Sequence, residues 1–96
     1  MEISANGTSV TIEGNIKTIG DYNSIRSTIQ GIVDGGNTNI SLSILNSISL
    51  TSSIIGYLLK LVKKDGVRIS TKIGDNRLHE LLSELNLIEA FNVQKV

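Results

Sequence analysis

The sequence predicts an α/β domain with a mixed sheet, on the strength of three observations. Segments that alternate apolar with polar residues interleave with segments whose apolar residues recur at helical spacing. A hairpin turn signal sits near the N-terminus, so the first two strands pair antiparallel. After it, strands alternate with helices, the pattern of parallel pairing through crossovers.

The strands are read from a period of two. Val10 and Ile12 alternate with Ser9, Thr11 and Glu13; Ile40, Leu42 and Ile44 alternate with Ser41 and Ser43; Val67 and Ile69 alternate with Arg68 and Ser70. Asn6-Gly7, flanked by Ile3, Ala5, Val10 and Ile12, joins a strand over Glu2–Ala5 to one over Thr8–Glu13. The helices are read from apolar faces. Tyr22, Ile25, Ile29, Ile32 and Val33 define the first, with Asp21 as its expected N-cap and Gly35-Gly36 as its stop. Ile54, Ile55, Leu58, Leu59, Leu61 and Val62 define the second, capped by Thr51 or Ser52 and ended by Asp65-Gly66. Leu78, Leu81, Leu82 and Leu85 define the third, capped by Asp75. Leu87, Ile88 and Phe91 lead into a short tail strand over Asn92–Lys95. Parallel strands covered on both faces read as continuous apolar runs. These strands alternate, so the helices are expected mainly on one face, leaving a Ser/Thr-rich face open to solvent or to a docking partner.

With 96 residues and no linker, repeat or low-complexity tail, residues 1–96 form a single domain. Only Tyr22, Tyr57 and Phe91 are aromatic, so the core must be aliphatic. Nine basic residues balance nine acidic ones, which argues against nucleic acid. The one dense basic run, Lys60, Lys63 and Lys64, suits the end of a helix, where cations meet the negative pole of the dipole. The absence of cysteine excludes disulfides and thiol chemistry. No secretory pattern opens the chain, and no apolar run approaches the ~18–20 residues of a membrane span. The cytoplasm is the expected compartment and a monomer the expected state.

Catalytic motifs are missing. There is no phosphate-binding loop, no Gly-x-Gly-x-x-Gly and no nucleophile elbow. His79 is the only histidine, and Asp75, His79 and Glu80 make a poor metal set, so neither metal nor cofactor nor enzymatic activity is expected. What stands out is Thr51-Ser52-Ser53, where a Ser-rich strand segment meets the most hydrophobic helix. Hydroxyls there cap the helix. The same position favours negative charge, so a serine at a helix start can act as an electrostatic switch when phosphorylated.

In order along the chain, these features resemble a STAS domain, the fold of bacterial anti-sigma-factor antagonists. Val10-Thr11-Ile12-Glu13-Gly14-Asn15-Ile16 resembles the family's hairpin strand and the Gly before its first helix. Thr51-Ser52-Ser53-Ile54-Ile55-Gly56-Tyr57-Leu58-Leu59 resembles the family's Asp-Ser-Ser/Thr-Gly-Leu-Gly helix start. Lys63-Lys64-Asp65-Gly66-Val67-Arg68-Ile69 resembles the following turn and strand, and Leu81-Leu82-Ser83-Glu84-Leu85-Asn86-Leu87 the Leu-rich ending. The resemblance spans nearly the whole chain. It implies a regulatory protein-binding domain, with Thr51, Ser52, Ser53 and Ile54 at the partner contact. It also implies that Ser52 is the residue phosphorylated by a GHKL-type kinase that is itself the anti-sigma factor. Thr51 stands where the family has Asp, Ile54 replaces a Gly, Lys17 stands where an acid is common, and Asn86 replaces a late Gly. The alternative is a non-phosphorylated STAS subunit docking on a larger complex such as a lipid-transport ATPase. On that reading Ile54 hinders close approach of a kinase.

Overall fold

The computed structural model describes residues 1–96. Its elements run β1 (Glu2–Asn6), β2 (Ser9–Glu13), α1 (Ile19–Asp34), β3 (Asn39–Leu45), α2 (Ser52–Lys63), β4 (Arg68–Ile73), α3 (Asn76–Glu84) and β5 (Val93–Lys95). The five strands form one sheet in the order β1-β2-β3-β4-β5. β1 and β2 are antiparallel and every later pair is parallel, so the mixed α/β sheet with an N-terminal hairpin is present as expected. No helix is long and apolar enough to cross a membrane.

Each strand pairs with the next one in the chain, so all three crossovers step the same way. Right-handed crossovers that step in one direction put their helices on one face. The burial pattern agrees. Val10, Leu42, Thr71 and Val93 form one buried row across the sheet, and Ile12, Ile44 and Ile73 the next. Ile40 and Ile69 stand side by side in the row before them. The alternate residues, including Ser9, Ser41 and Ser70, face away and are exposed. Ile25 and Ile29 of α1, Ile54, Leu58 and Leu61 of α2, and Leu78 and Leu82 of α3 complete the core. Phe91, from the turn before β5, is buried with them. The core is aliphatic but for Phe91 and Tyr57.

Several local details differ from expectation. The hairpin pairs Asn6 with Ser9, so its two-residue turn is Gly7-Thr8, one residue later than Asn6-Gly7. Gly7 has φ +61° and Thr8 does not have positive φ, which puts glycine at the first central position of the turn, where that sign is required. Ile3 therefore faces Ile12 and Ala5 faces Val10, where a turn at Asn6-Gly7 would set them against Val10 and Thr8. The cap of α1 is Thr18, not Asp21. Thr18 Oγ1 accepts from the Asp21 N–H at 3.0 Å, while the Asp21 carboxylate accepts from the Thr18 N–H in return. Such a reciprocal capping box needs the acid three residues inside the cap, which is where Asp21 sits. The apolar stripe of α3 also stops early: the helix ends at Glu84 and Leu85 is exposed. The tail strand begins at Val93, because Asn92 has φ +48° and leaves the extended region.

One buried polar atom has no partner: the Thr71 hydroxyl, on a side chain only 3% exposed between Leu42 and Val93. An unpaired buried hydroxyl costs free energy that a methyl group does not. Thr71→Val is therefore expected to leave the urea midpoint unchanged or to raise stability by about 1 kcal/mol. A lower midpoint would show that this hydroxyl is bonded after all.

Candidate functional site

Because β2, β3 and β4 are parallel, their C-terminal ends lie along one edge of the sheet. The starts of α1, α2 and α3 follow from those ends, so three helix N-termini gather at this edge. Two loops at this edge are tied together. The Ser47 side chain is fully buried, and its hydroxyl donates to the Gly14 carbonyl at 2.6 Å. The Ile48 N–H donates to Asn15 Oδ1 at 3.1 Å, and the Gly14 N–H donates to the Leu45 carbonyl at 3.1 Å. Asn46, with φ +62°, turns the chain from β3 into this loop; asparagine tolerates that left-handed region better than most residues. Leu50 is buried and anchors the far end of the loop. The α2 start is thus fixed relative to the β2–α1 loop, although nothing in the local sequence marks Ser47 as different from its serine neighbours.

The residues singled out in the sequence divide here. Thr51, Ser52 and Ser53 are exposed and consecutive at the start of α2. Thr51 is the N-cap, and its Oγ1 accepts from the Ile54 N–H at 3.3 Å. Ile54 does not belong with them. It is 1% exposed and packs in the core, because the helical period turns the third residue of α2 toward the sheet. Its branched side chain is turned into the core and away from the surface that carries Ser52. A shallow recess of about 210 Å³ lies beside Thr51 and Ser53, completed by Lys17, Thr18, Ile19 and Tyr22 from the start of α1. Ile19, which lines this recess, is 79% exposed, so the hydroxyls have an aliphatic neighbour open to solvent.

The three helix starts differ in charge. At α1, the Asp21 carboxylate accepts from the Lys17 and Thr18 N–H groups; the Lys17 bond holds its pKa below the ordinary carboxylate range. At α3, Asp75 accepts from the Arg77 N–H at 2.8 Å and from the Arg77 guanidinium at 3.0 and 2.8 Å. The guanidinium bonds are the main reason its pKa falls to about 2. At α2 there is no acidic residue in the first turn. The Ser52 and Ser53 N–H groups have no protein acceptor, and Lys17 lines the adjoining recess. This is the one helix start of the three whose positive pole is not met by a carboxylate.

Elsewhere, Tyr57 packs between α2 and α1. Its hydroxyl donates to Gln30 Oε1 at 2.8 Å, the Arg26 guanidinium lies 5.6 Å from its ring centre, and burial pushes its pKa up. This contact supports the docking of α2. His79 and Glu80 lie on α3, and no group of three or more His, Asp or Glu side chains converges anywhere in the chain. Compared with protein-family models, curated proteins and solved structures, the chain matches none.

Two outcomes follow from this geometry. Ser47→Ala removes the donor to Gly14 and is expected to cost about 1–3 kcal/mol in urea unfolding, with amide shifts in both loops. The lowered pKa values of Asp21 and Asp75 imply stability that is present above the unfolded value of about 3.9 and lost as pH falls through the folded values. Thermal midpoints should therefore decline from about pH 4 downward, and for Asp75 the loss should extend to about pH 2. Asp75→Asn keeps a capping oxygen but should flatten part of that decline.

Proposed function

We propose that this chain is a regulatory protein-binding domain of the anti-sigma-factor-antagonist type, and that Ser52 is its phosphorylation site. The supporting observation is the position of Ser52: exposed, first in α2, at the one helix start of this sheet edge that lacks a carboxylate. The ordered resemblance to STAS sequences supplies the rest of the reading.

In the unmodified state, Thr51, Ser52 and Ser53 present small hydroxyls near the aliphatic Ile19, a surface that a folded partner can cover at low desolvation cost. A GHKL-type kinase transfers the γ-phosphoryl group of ATP to Ser52 Oγ; the hydroxyl proton passes to a base on the kinase and ADP leaves. The product carries a charge of about −1.5 to −2 at the contact. In the free domain that charge sits near the unfilled N–H groups of the first turn and is favoured there. In the complex it must be stripped of water against the partner, which is unfavourable. One modification thus stabilises the free domain and weakens the complex.

A second reading is a constitutive subunit docked on a larger assembly such as a lipid-transport ATPase. It is favoured by Thr51, which caps α2 where the phosphorylated family members carry an acid.

Ser52→Asp separates the two readings. A switch predicts a small, salt-sensitive gain in stability, about 0.3–1 kcal/mol, together with loss of binding to the cognate kinase. Ser52→Ala should bind and no longer be released by ATP. Phosphate mapping by mass spectrometry should place the modification on Ser52. No phosphate there, or full partner affinity in Ser52→Asp, sinks the switch, and a pulled-down partner that ATP does not release supports the docked subunit.

A further inference from the structure

The open face of the sheet is mostly neutral: Asn6, Ser9, Ser41 and Ser70 form one row across it, and Ser4, Thr11 and Ser43 lead into the next. Its charges lie at opposite sides. Glu2 and Glu13 face each other on β1 and β2. Arg68 and Lys72 stand on β4 with Ser70 between them, all three exposed. Neither cation has an ion-pair partner, since the two ion pairs of the chain are Lys60–Asp65 and Arg77–Asp75. Their neighbours across the strand on β3 are Asn39 and Ser43, both neutral. Glu13 is two strands away, at least about 10 Å.

β5 is too short to cover β4. It pairs with Thr71–Ile73 and leaves Arg68–Ser70 without a neighbour on that side. Asn92 closes the corner: its side-chain amide donates to the Ile69 carbonyl at 2.8 Å, and its own carbonyl accepts from the Thr71 N–H. The result is a recess of about 310 Å³ lined by Arg68, Ser70, Thr71, Lys72, Asn92 and Gln94, with no hydrophobic and no acidic side chain. Gln94 stands in register with Lys72. Asn92 spends its amide on the wall, so Arg68, Ser70, Lys72 and Gln94 are the donors left for a ligand.

We infer that this recess binds small phosphate compounds, with phosphate oxygens held over Ser70 between the Arg68 guanidinium and the Lys72 ammonium. The α-carbons of the two cations are about 13 Å apart along the strand, so their side chains reach in from both ends. This spacing suits a diphosphate better than a single phosphate. Guanidinium and ammonium groups form charge-assisted bonds to phosphate oxygens, and the Ser70 hydroxyl and Gln94 amide add neutral ones. The site is independent of the α2 start and of what docks there.

The test is an amide NMR titration at low salt, using inorganic pyrophosphate and, separately, ADP. Saturable shifts confined to residues around Arg68, Ser70, Lys72 and Gln94 are expected. An Arg68→Ala/Lys72→Ala protein, changed only at exposed positions, should keep its fold and thermal midpoint and lose about tenfold or more in affinity. Equal affinity for the two probes identifies the diphosphate as the recognised group, and tighter ADP binding adds a nucleoside to it; either supports the site. Three results would overturn it. These are no saturable shift with millimolar pyrophosphate, shifts centred on Ser52 and Ser53, or unchanged affinity in the double variant. In each case the two cations would be left as edge charges that deter strand-to-strand aggregation.

Discussion

Confinement of the core to one face of the sheet is the constraint on which the rest of this structure depends. A sheet covered on both sides demands strands that are apolar throughout. Here every second position is mostly serine, threonine or charged and faces away, and the intervening set, apolar but for Thr71, is the one that is buried. Three helices, with Leu50, Val67, Leu87 and Phe91 from the connecting segments, must then supply what the buried rows of β2, β3 and β4 contact. That explains why α2, whose residues Ile54, Tyr57, Leu58 and Leu61 are all buried, is the most apolar of the three. It also explains why the chain manages with so few aromatic residues. A two-layer core is about 10 Å thick, and interdigitated isoleucine and leucine fill that depth without larger rings.

The same arrangement sorts the surface into two kinds. At the edge where the parallel strands end, helix poles and loop backbone supply the chemistry, and local carboxylates answer two of the three poles. On the open face, side chains alone supply it, and they are mostly short hydroxyls. The candidate docking surface belongs to the first kind and the Arg68–Lys72 recess to the second. They lie on different sides of the molecule's logic: one depends on how α2 begins, the other on where β5 stops.

The fold was legible because period two and period 3.6 are both strong in this chain. Val10/Ile12, Ile40/Leu42/Ile44 and Ile69 alternate cleanly, and each lies in the buried rows. Less legible were features set by one residue of offset. Asn6-Gly7 and Gly7-Thr8 both satisfy a hairpin, and an apolar residue faces Ile3 in either scheme, Val10 in the first and Ile12 in the second. Asp21 is a good cap by type, yet Thr18 three residues earlier completes a reciprocal pair that a single-residue preference does not reveal. Ile54 was misplaced for a related reason: a motif read as a contiguous string ignores that a helix turns its third residue inward. Ser47 and the Arg68–Lys72 recess gave no contiguous signal. The first matters through a bond to Gly14, 33 residues away in sequence. The second was obscured by the denser run of Lys60, Lys63 and Lys64, and its Gln94 wall depends on a strand register that composition does not encode.

The consecutive strand order also bears on how the chain reaches its native state. Every strand pairs with its immediate successor, but each parallel pairing must close a crossover through one helix, as in Ser9 with Ser41 and Asn39 with Arg68. Loop-closure entropy grows slowly with length, yet parallel pairing across such a crossover is slower than closure of the local hairpin. With no proline in the chain, no slow peptide isomerisation interrupts that process. Assembly can advance strand by strand from the hairpin. The three-residue β5 is held by the fewest pairings and is the natural place for the native sheet to begin to open.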